Sequence, residues 1–387
     1  MIAPDELLTR RSLLLHVGLP KTGTTTTQFF IQHNAEAFSQ LGIGVLSVEG
    51  LGAHYLLAHH LKSLDGTQRE NSFFGNSSGR TDFFPEWNRE DVFLISAEDL
   101  HIVGPNGAAA IRHFASAHDA SLTVHATIRN PIDWLWSCWS QVTKSQWFDW
   151  SAWIDQALKE RDGFLSRSFE IWLEGESVGL KLMTYEGPDL LRRFLGRTGL
   201  AAVLEGDFVD VPAANIALTP VEILYQAMFV RDVRSSLANR HRIAFHNPDW
   251  GYIERVLLDS VALGTPIFEV AQKVERQVLN LADGDVFGPS VFSGLAAYAE
   301  AWVSDALDFA DRWDGRLDEE SKATITGACA ALESDIRELH NGSFVRARFP
   351  QRDFADRLPI DSQYLGLVRS VATMIFLADR YKRNNST

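Results

Sequence analysis

The chain has 387 residues, 45% of them hydrophobic and 22% charged, which is ordinary for a globular protein with room for one large domain and an elaboration. Its formal net charge of −14 repels phosphate backbones and anionic bilayers, so nucleic acid and acidic membranes are excluded as expected partners. Two cysteines, Cys138 and Cys329, make neither a disulfide framework nor a zinc spacing.

Ser12–Val17 (SLLLHV) reads as a buried strand ending at Gly18, and it leaves no room for a membrane anchor ahead of it. Residues 24–40 read as one helix, and Ile43–Val48 as a second strand. Residues 50–90, rich in Gly, Ser, Asn, Phe and His, read as a long loop over one sheet edge. Asp91–Ser96 is a third strand, 105–118 a helix, and Leu122–Ile128 a fourth strand running into Arg129-Asn130-Pro131. Helices over 131–146 and 150–173 lead to a fifth strand, Val178–Thr184. Strands separated by helices in this way predict an α/β fold with a doubly wound parallel sheet. After residue 200 the strand signals stop. A helix opens at Thr219-Pro220, and more follow over 250–282, 290–312, 318–340 and 361–383. The expected division is an α/β core over 1–205 and a mostly helical extension over 206–387 packed on it. No apolar run is long enough for a bilayer, and the expectation is a cytoplasmic protein without stable membrane insertion.

The segment with chemical content is Gly18-Leu19-Pro20-Lys21-Thr22-Gly23-Thr24-Thr25-Thr26. A strand, a glycine-rich turn and a helix N-terminus make an anion site, because backbone amides converge there and the helix dipole adds positive potential. The spacing Gly18 to Gly23 suits a nucleotide triphosphatase loop, but Thr24 stands where that loop has its lysine. The lysine lies instead at position 21, alongside an anhydride and not at a terminal phosphate.

The pattern PKTGTT after a strand resembles the 5′-phosphosulfate loop of bacterial sulfotransferases that use 3′-phosphoadenosine 5′-phosphosulfate (PAPS). That resemblance implies a P-loop-like fold and a second site for the 3′-phosphate, an arginine at a strand end with a serine eight residues later. Arg129 and Ser137 in TIRNPIDWLWS have that spacing. Asn130 suits the N-cap and Pro131 the first turn of the following helix. The strand ending Tyr185-Glu186 resembles the family's strand whose tyrosine approaches the adenine, and Asn341–Pro350 resembles a C-terminal segment of bacterial relatives.

The implied roles follow. Lys21 serves the bridging and sulfuryl oxygens. Pro20, Thr22, Gly23, Thr24, Thr25, Thr26 and the loop amides hold the 5′-phosphate, Arg129 and Ser137 the 3′-phosphate, and Tyr185 the adenine. PAPS is a co-substrate, and no metal is required. The acceptor, a hydroxyl or amine on a carbohydrate or small molecule, needs a general base. Glu98 qualifies because it follows a core strand at its C-terminal end; His54 and His59 qualify by lying in the long loop. Six of the eleven tryptophans fall between Trp134 and Trp153, a pattern of helix packing or of an aromatic platform, with packing favoured. A P-loop kinase or triphosphatase and a non-catalytic nucleotide-binding scaffold are the competing readings. The sequence leaves the acceptor and the oligomeric state open.

Overall fold

The computed structural model describes residues 11–45, 55–66, 87, 91–143, 150–175, 178–185, 189–206, 208–209 and 289–341. The helices expected at Thr219, 250–282 and 361–383, as well as His54, Glu186 and all but the first residue of Asn341–Pro350, lie outside them.

Five strands form one parallel sheet in the order β2-β3-β1-β4-β5. They are β1 Ser12–Val17, β2 Ile43–Val45, β3 Val92–Ala97, β4 Ser121–Ile128 and β5 Gly179–Thr184. All six residues of β1 are buried, as expected of a central strand covered on both faces, where no polar face is needed. Chain order reverses between β1 and β4, the switch at which ligands of open α/β sheets gather, outside the strands' C-terminal ends.

The helices are α1 Thr24–His33, α2 Ala35–Gln40, α3 Tyr55–Ser63, α4 Pro105–Ala117, α5 Pro131–Thr143, α6 Trp150–Glu160, α7 Leu165–Leu173, α8 Leu190–Thr198, α9 Pro289–Arg312 and α10 Glu319–His340. Three differ from expectation. The single helix over 24–40 is two, because buried Asn34 turns its side chain onto the backbone. Its Nδ2 donates to the carbonyls of Phe30 at 2.8 Å and Val209 at 3.0 Å, and its Oδ1 accepts from the Val209 amide at 2.6 Å. The helix over 150–173 is interrupted at Gly163, whose φ of 78° lets the chain pass over Trp134; a Cβ there would lie 2.7 Å from the indole. The long loop contains α3, whose Leu57, Ala58 and Leu61 are buried, an apolar stripe set among the polar residues that suggested a loop.

The core on one face of the sheet joins Leu14, Leu94 and Met183 to Phe30, Ile31 and Phe38 of the first helices and to Leu190, Phe194 and Leu195 of α8. Each such side chain contributes about 1.5–3 kcal/mol on burial. The outer edge of β5 is closed by the residues leading into α10. Leu317 bridges Leu180 in parallel, and Ser321 Oγ accepts from the Leu182 amide at 2.8 Å. Arg197 of α8 completes the edge by donating to the Leu182 carbonyl at 3.2 Å and pairing with Asp318. An unpaired row of edge amides is thereby covered.

The chain forms two compact units, Met1–Trp134 with Glu160–Asn215 and Ala299–Ser334, and Leu135–Lys159 with Ile216–Tyr298 and Asp335–Thr387. These run across the 1–205 and 206–387 division drawn from the sequence. The first holds the sheet and its edge cover. In the second, Trp136, Trp139 and Trp150 meet with ring centroids 4.9–5.2 Å apart. Trp139 and Trp150 are buried, which is the packing expected of this stretch. Among the described residues, no helix is long and apolar enough to cross a membrane.

Candidate functional site

The loop after β1 is shaped by side chains that seize its carbonyls. Thr22 Oγ1 donates to the Leu19 carbonyl at 2.7 Å, and Thr24 Oγ1 to the same oxygen at 3.2 Å. Trp134 Nε1 donates to the Pro20 carbonyl at 2.8 Å, and Arg129 Nη1 to the Lys21 carbonyl at 3.2 Å. Three successive carbonyls are thus held, which fixes the turn without drawing on its amides. Lys21 has φ 62° and Gly23 φ 81°. A left-handed lysine costs about 1 kcal/mol or more, and such strain concentrates at functional loops. Gly18 is required by space, since a Cβ there would sit 2.4 Å from Thr24 Cγ2.

Helix α1 starts at Thr24 with Gly23 as N-cap and no side-chain cap. Its first internal bond runs from the Thr27 amide to the Gly23 carbonyl at 3.2 Å. The amides of Thr24, Thr25 and Thr26 therefore open the helix with no partner four residues back, the donor set that an anion at a helix start engages. The sequence reading gave the Thr24 hydroxyl to that anion. In the structure Thr22 and Thr24 are buried and brace Leu19, while Thr25 and Thr26 are half-buried. The bracing follows from the tight turn, which brings both hydroxyls under the Leu19 carbonyl.

The ends of β4 and β5 supply the next wall. Asn130 caps α5 as expected, its Oδ1 accepting from the amides of Ile132 at 3.0 Å and Asp133 at 3.3 Å. Arg129, the residue before it, places its guanidinium carbon 5.0 Å from the centroid of the Tyr185 ring, and the Tyr185 amide donates to the Ile128 carbonyl at 2.7 Å. Tyr185 is 37% exposed, so its ring is open to a ligand. Gly23 lies against this corner, where an added Cβ would stand 3.2 Å from Tyr185 Cε2. The structure therefore brings together Lys21, Gly23, Arg129 and Tyr185 from three separate strand ends. Ser137, on the seventh residue of α5, is half-buried and belongs to the second unit.

Glu98 opens a 3-10 turn, Glu98–Ile102, directly after β3. Burial pushes its carboxyl up from the ordinary glutamate value, the Lys21 charge draws it down, and Asp99 adds to the rise. The net rise suits proton transfer nearer neutrality. His101 Nδ1 donates to the Glu98 carbonyl at 2.6 Å, which stiffens the turn. Asp99 accepts from Lys62 Nζ at 3.0 Å and lies 3.8 Å from His59 Nε2. Burial, with Lys62 assisting, lowers the pKa of His59 against the opposing effect of Asp99. His59 is buried and turned to Asp99, so it is placed as a partner of that carboxylate.

Sequence reading missed the roles of Trp134 and Leu190 in the loop's shape. The signal for Trp134 was its position five residues past Arg129, but an indole that caps a carbonyl more than a hundred residues away looks like any packing tryptophan. Compared with known proteins, the chain matches no family model, no curated protein and no solved structure.

Proposed function

We propose that this chain is a sulfotransferase of P-loop-like type that draws a sulfuryl group from PAPS and passes it to a hydroxyl or amine of a carbohydrate or small metabolite. One observation carries the reading. Arg129 donates to the carbonyl of Lys21 while lying over Tyr185, so residues suited to a sulfate, a 3′-phosphate and an adenine converge from three segments. The uncapped start of α1 offers amides to a 5′-phosphate, with Thr25 and Thr26 beside them. The Arg129 guanidinium presents five N–H donors in a planar fork, of which Nη1 steadies the loop; this donor set fits a phosphate monoester.

In this reading the acceptor oxygen or nitrogen attacks sulfur in line. The new bond to sulfur forms as the bridging S–O bond breaks, and adenosine 3′,5′-bisphosphate leaves. Lys21 stabilises the charge that grows on the bridging oxygen, and Glu98 takes the acceptor's proton. Lys21 and Glu98 are near enough for the lysine's charge to act on the carboxyl, and that proximity supports the division of roles.

The test is calorimetry with adenosine 3′,5′-bisphosphate in the absence of magnesium, together with labelled transfer from PAPS. Binding is expected, and Arg129→Ala should weaken it about 30-fold, or about 2 kcal/mol for a charge-assisted contact. Transfer should vanish in Lys21→Ala. Unchanged affinity in Arg129→Ala, or a preference for magnesium-ATP, would overturn the reading.

A further inference from the structure

The proposed base and the proposed leaving-group cation issue from the ends of two neighbouring strands. β1 and β3 run in the register His16↔Ser96 and Val17↔Ala97, and the Gly18 amide continues the ladder to the Ala97 carbonyl at 3.1 Å. Glu98 is the next residue on one strand, and Lys21 is three residues beyond Gly18 on the other.

Just below this closure, His16 Nδ1 and Ser96 Oγ share a hydrogen bond of 2.8 Å, with the two residues 2% and 0% exposed. On the same face lie Leu14, Leu94 and Phe194, with the Phe194 ring centroid 4.7 Å from that of His16, and in register beside His16 stands the buried His125 of β4, itself next to Lys181 of β5. Gln28 of α1 adds a long contact, Nε2 to the Ser96 carbonyl at 3.5 Å, so the helix after the loop is tied to the same residue. A buried polar pair in such a layer gains little stability over aliphatic side chains of similar size. What the pair adds is a directional side-chain tie between the two strand ends, below turns that are each braced internally and carried by those strands.

We propose that His16 and Ser96 are positioning residues that hold the Lys21 loop and the Glu98 turn at one separation, so that both groups bear on a single bound substrate. The proposal rests on the sulfotransferase reading for the roles of Lys21 and Glu98; the tie between the strand ends is independent of it. The groups around Glu98 are Lys21 from the loop, Asp99 and His101 from its own turn, Lys62 and His59 of α3 acting through Asp99, and Arg167 of α7, whose charge reaches His101.

The experiment is a carboxyl 13C titration of the full chain, with Glu98→Gln supplying the assignment. It is applied to Ser96→Ala, to Ser96→Cys, which keeps the volume with a weak donor, and to Ser96→Thr, which keeps the hydroxyl. Loosening the tie takes the Lys21 charge away from Glu98. The Glu98 midpoint should therefore rise in the alanine and cysteine variants and return in the threonine variant. In labelled transfer from PAPS, kcat should fall about tenfold or more in the alanine and cysteine variants, with the affinity for adenosine 3′,5′-bisphosphate held within about twofold. If Ser96→Ala does not fold, Ser96→Cys decides. An unmoved Glu98 midpoint in a folded variant overturns the proposal. Absence of any transfer by the unmodified chain sinks the sulfotransferase reading and leaves the titration arm to be judged by itself.

Discussion

Gly23→Ala separates two physical demands on the loop. Gly23 has φ 81°, and a Cβ there would lie 2.1 Å from Leu190 Cδ2 and 3.2 Å from Tyr185 Cε2. A left-handed alanine costs about 1–2 kcal/mol. The second demand is space. Leu190 is 8% exposed and belongs to the core beneath the sheet, so moving its methyl aside is overpacking, at about 1–3 kcal/mol. Together these predict a loss of about 2–5 kcal/mol, read from urea unfolding followed by tryptophan fluorescence. The steric part is isolated by a cycle with Leu190→Ala, which by itself should cost about 2–5 kcal/mol for its cavity. The added methyl then enters that cavity, so the double variant should lose about 1–2 kcal/mol less than the sum of the singles. The conformational part should survive in the double variant. Additivity within about 0.5 kcal/mol would refute the steric account, because separate sites add to that accuracy.

Three further outcomes are expected. Lys21→Gly and Lys21→Ala should both lose transfer, but the glycine variant should be more stable by about 1 kcal/mol, since Lys21 has φ 62°; equal thermal melts would remove the claim of backbone strain. Burial alone would raise the Asp318 carboxyl, yet hydrogen bonds from Arg197 and Ser321 and the Arg197 charge hold it at about 2, below its ordinary 3.8. The folded chain therefore binds fewer protons there, and this stabilisation is complete above about pH 4 and lost as pH falls towards 2; Asp318→Asn should flatten acid unfolding in that window. His125 is 2% exposed with neither ring nitrogen hydrogen-bonded, and burial, assisted by Lys181, His16 and Arg197 against Asp318, keeps its pKa well below 6.5. Stability should therefore fall as pH drops below 6.5, at up to about 1.4 kcal/mol per pH unit, and His125→Leu should remove that slope in unfolding measured from pH 7 to 5.

Much of the fold was legible because its signals act over a few residues. β1 shows as an unbroken apolar run because a parallel strand is buried on both faces, and the start of α5 shows because Asn130 satisfies amides two and three residues ahead. The glycine loop was legible for the same local reason. The helix break at Asn34 was not, because it depends on the backbone of Val209. The helix α3 was obscured by composition, since its few buried residues sit among histidines and serines. His54 lies outside the described residues, and of the two bases favoured from the sequence Glu98 is the one whose surroundings the structure describes.

The sequence by itself determined the sheet's strands, the glycine-rich turn at Gly18–Thr26 and the strand-end placement of Arg129, all of which follow from chain-local sterics, capping and burial period. Only the tertiary structure decided the orientation of that turn. Arg129 and Trp134 hold its carbonyls, Thr22 and Thr24 brace it from within, and Tyr185 and Leu190 close the corner around Gly23. It also decided that the outer edge of β5 is covered by residues 317–321, which the sequence places far along the chain. These contacts join segments whose side chains carry no local mark of their partners, so they become visible only when the strands are laid side by side.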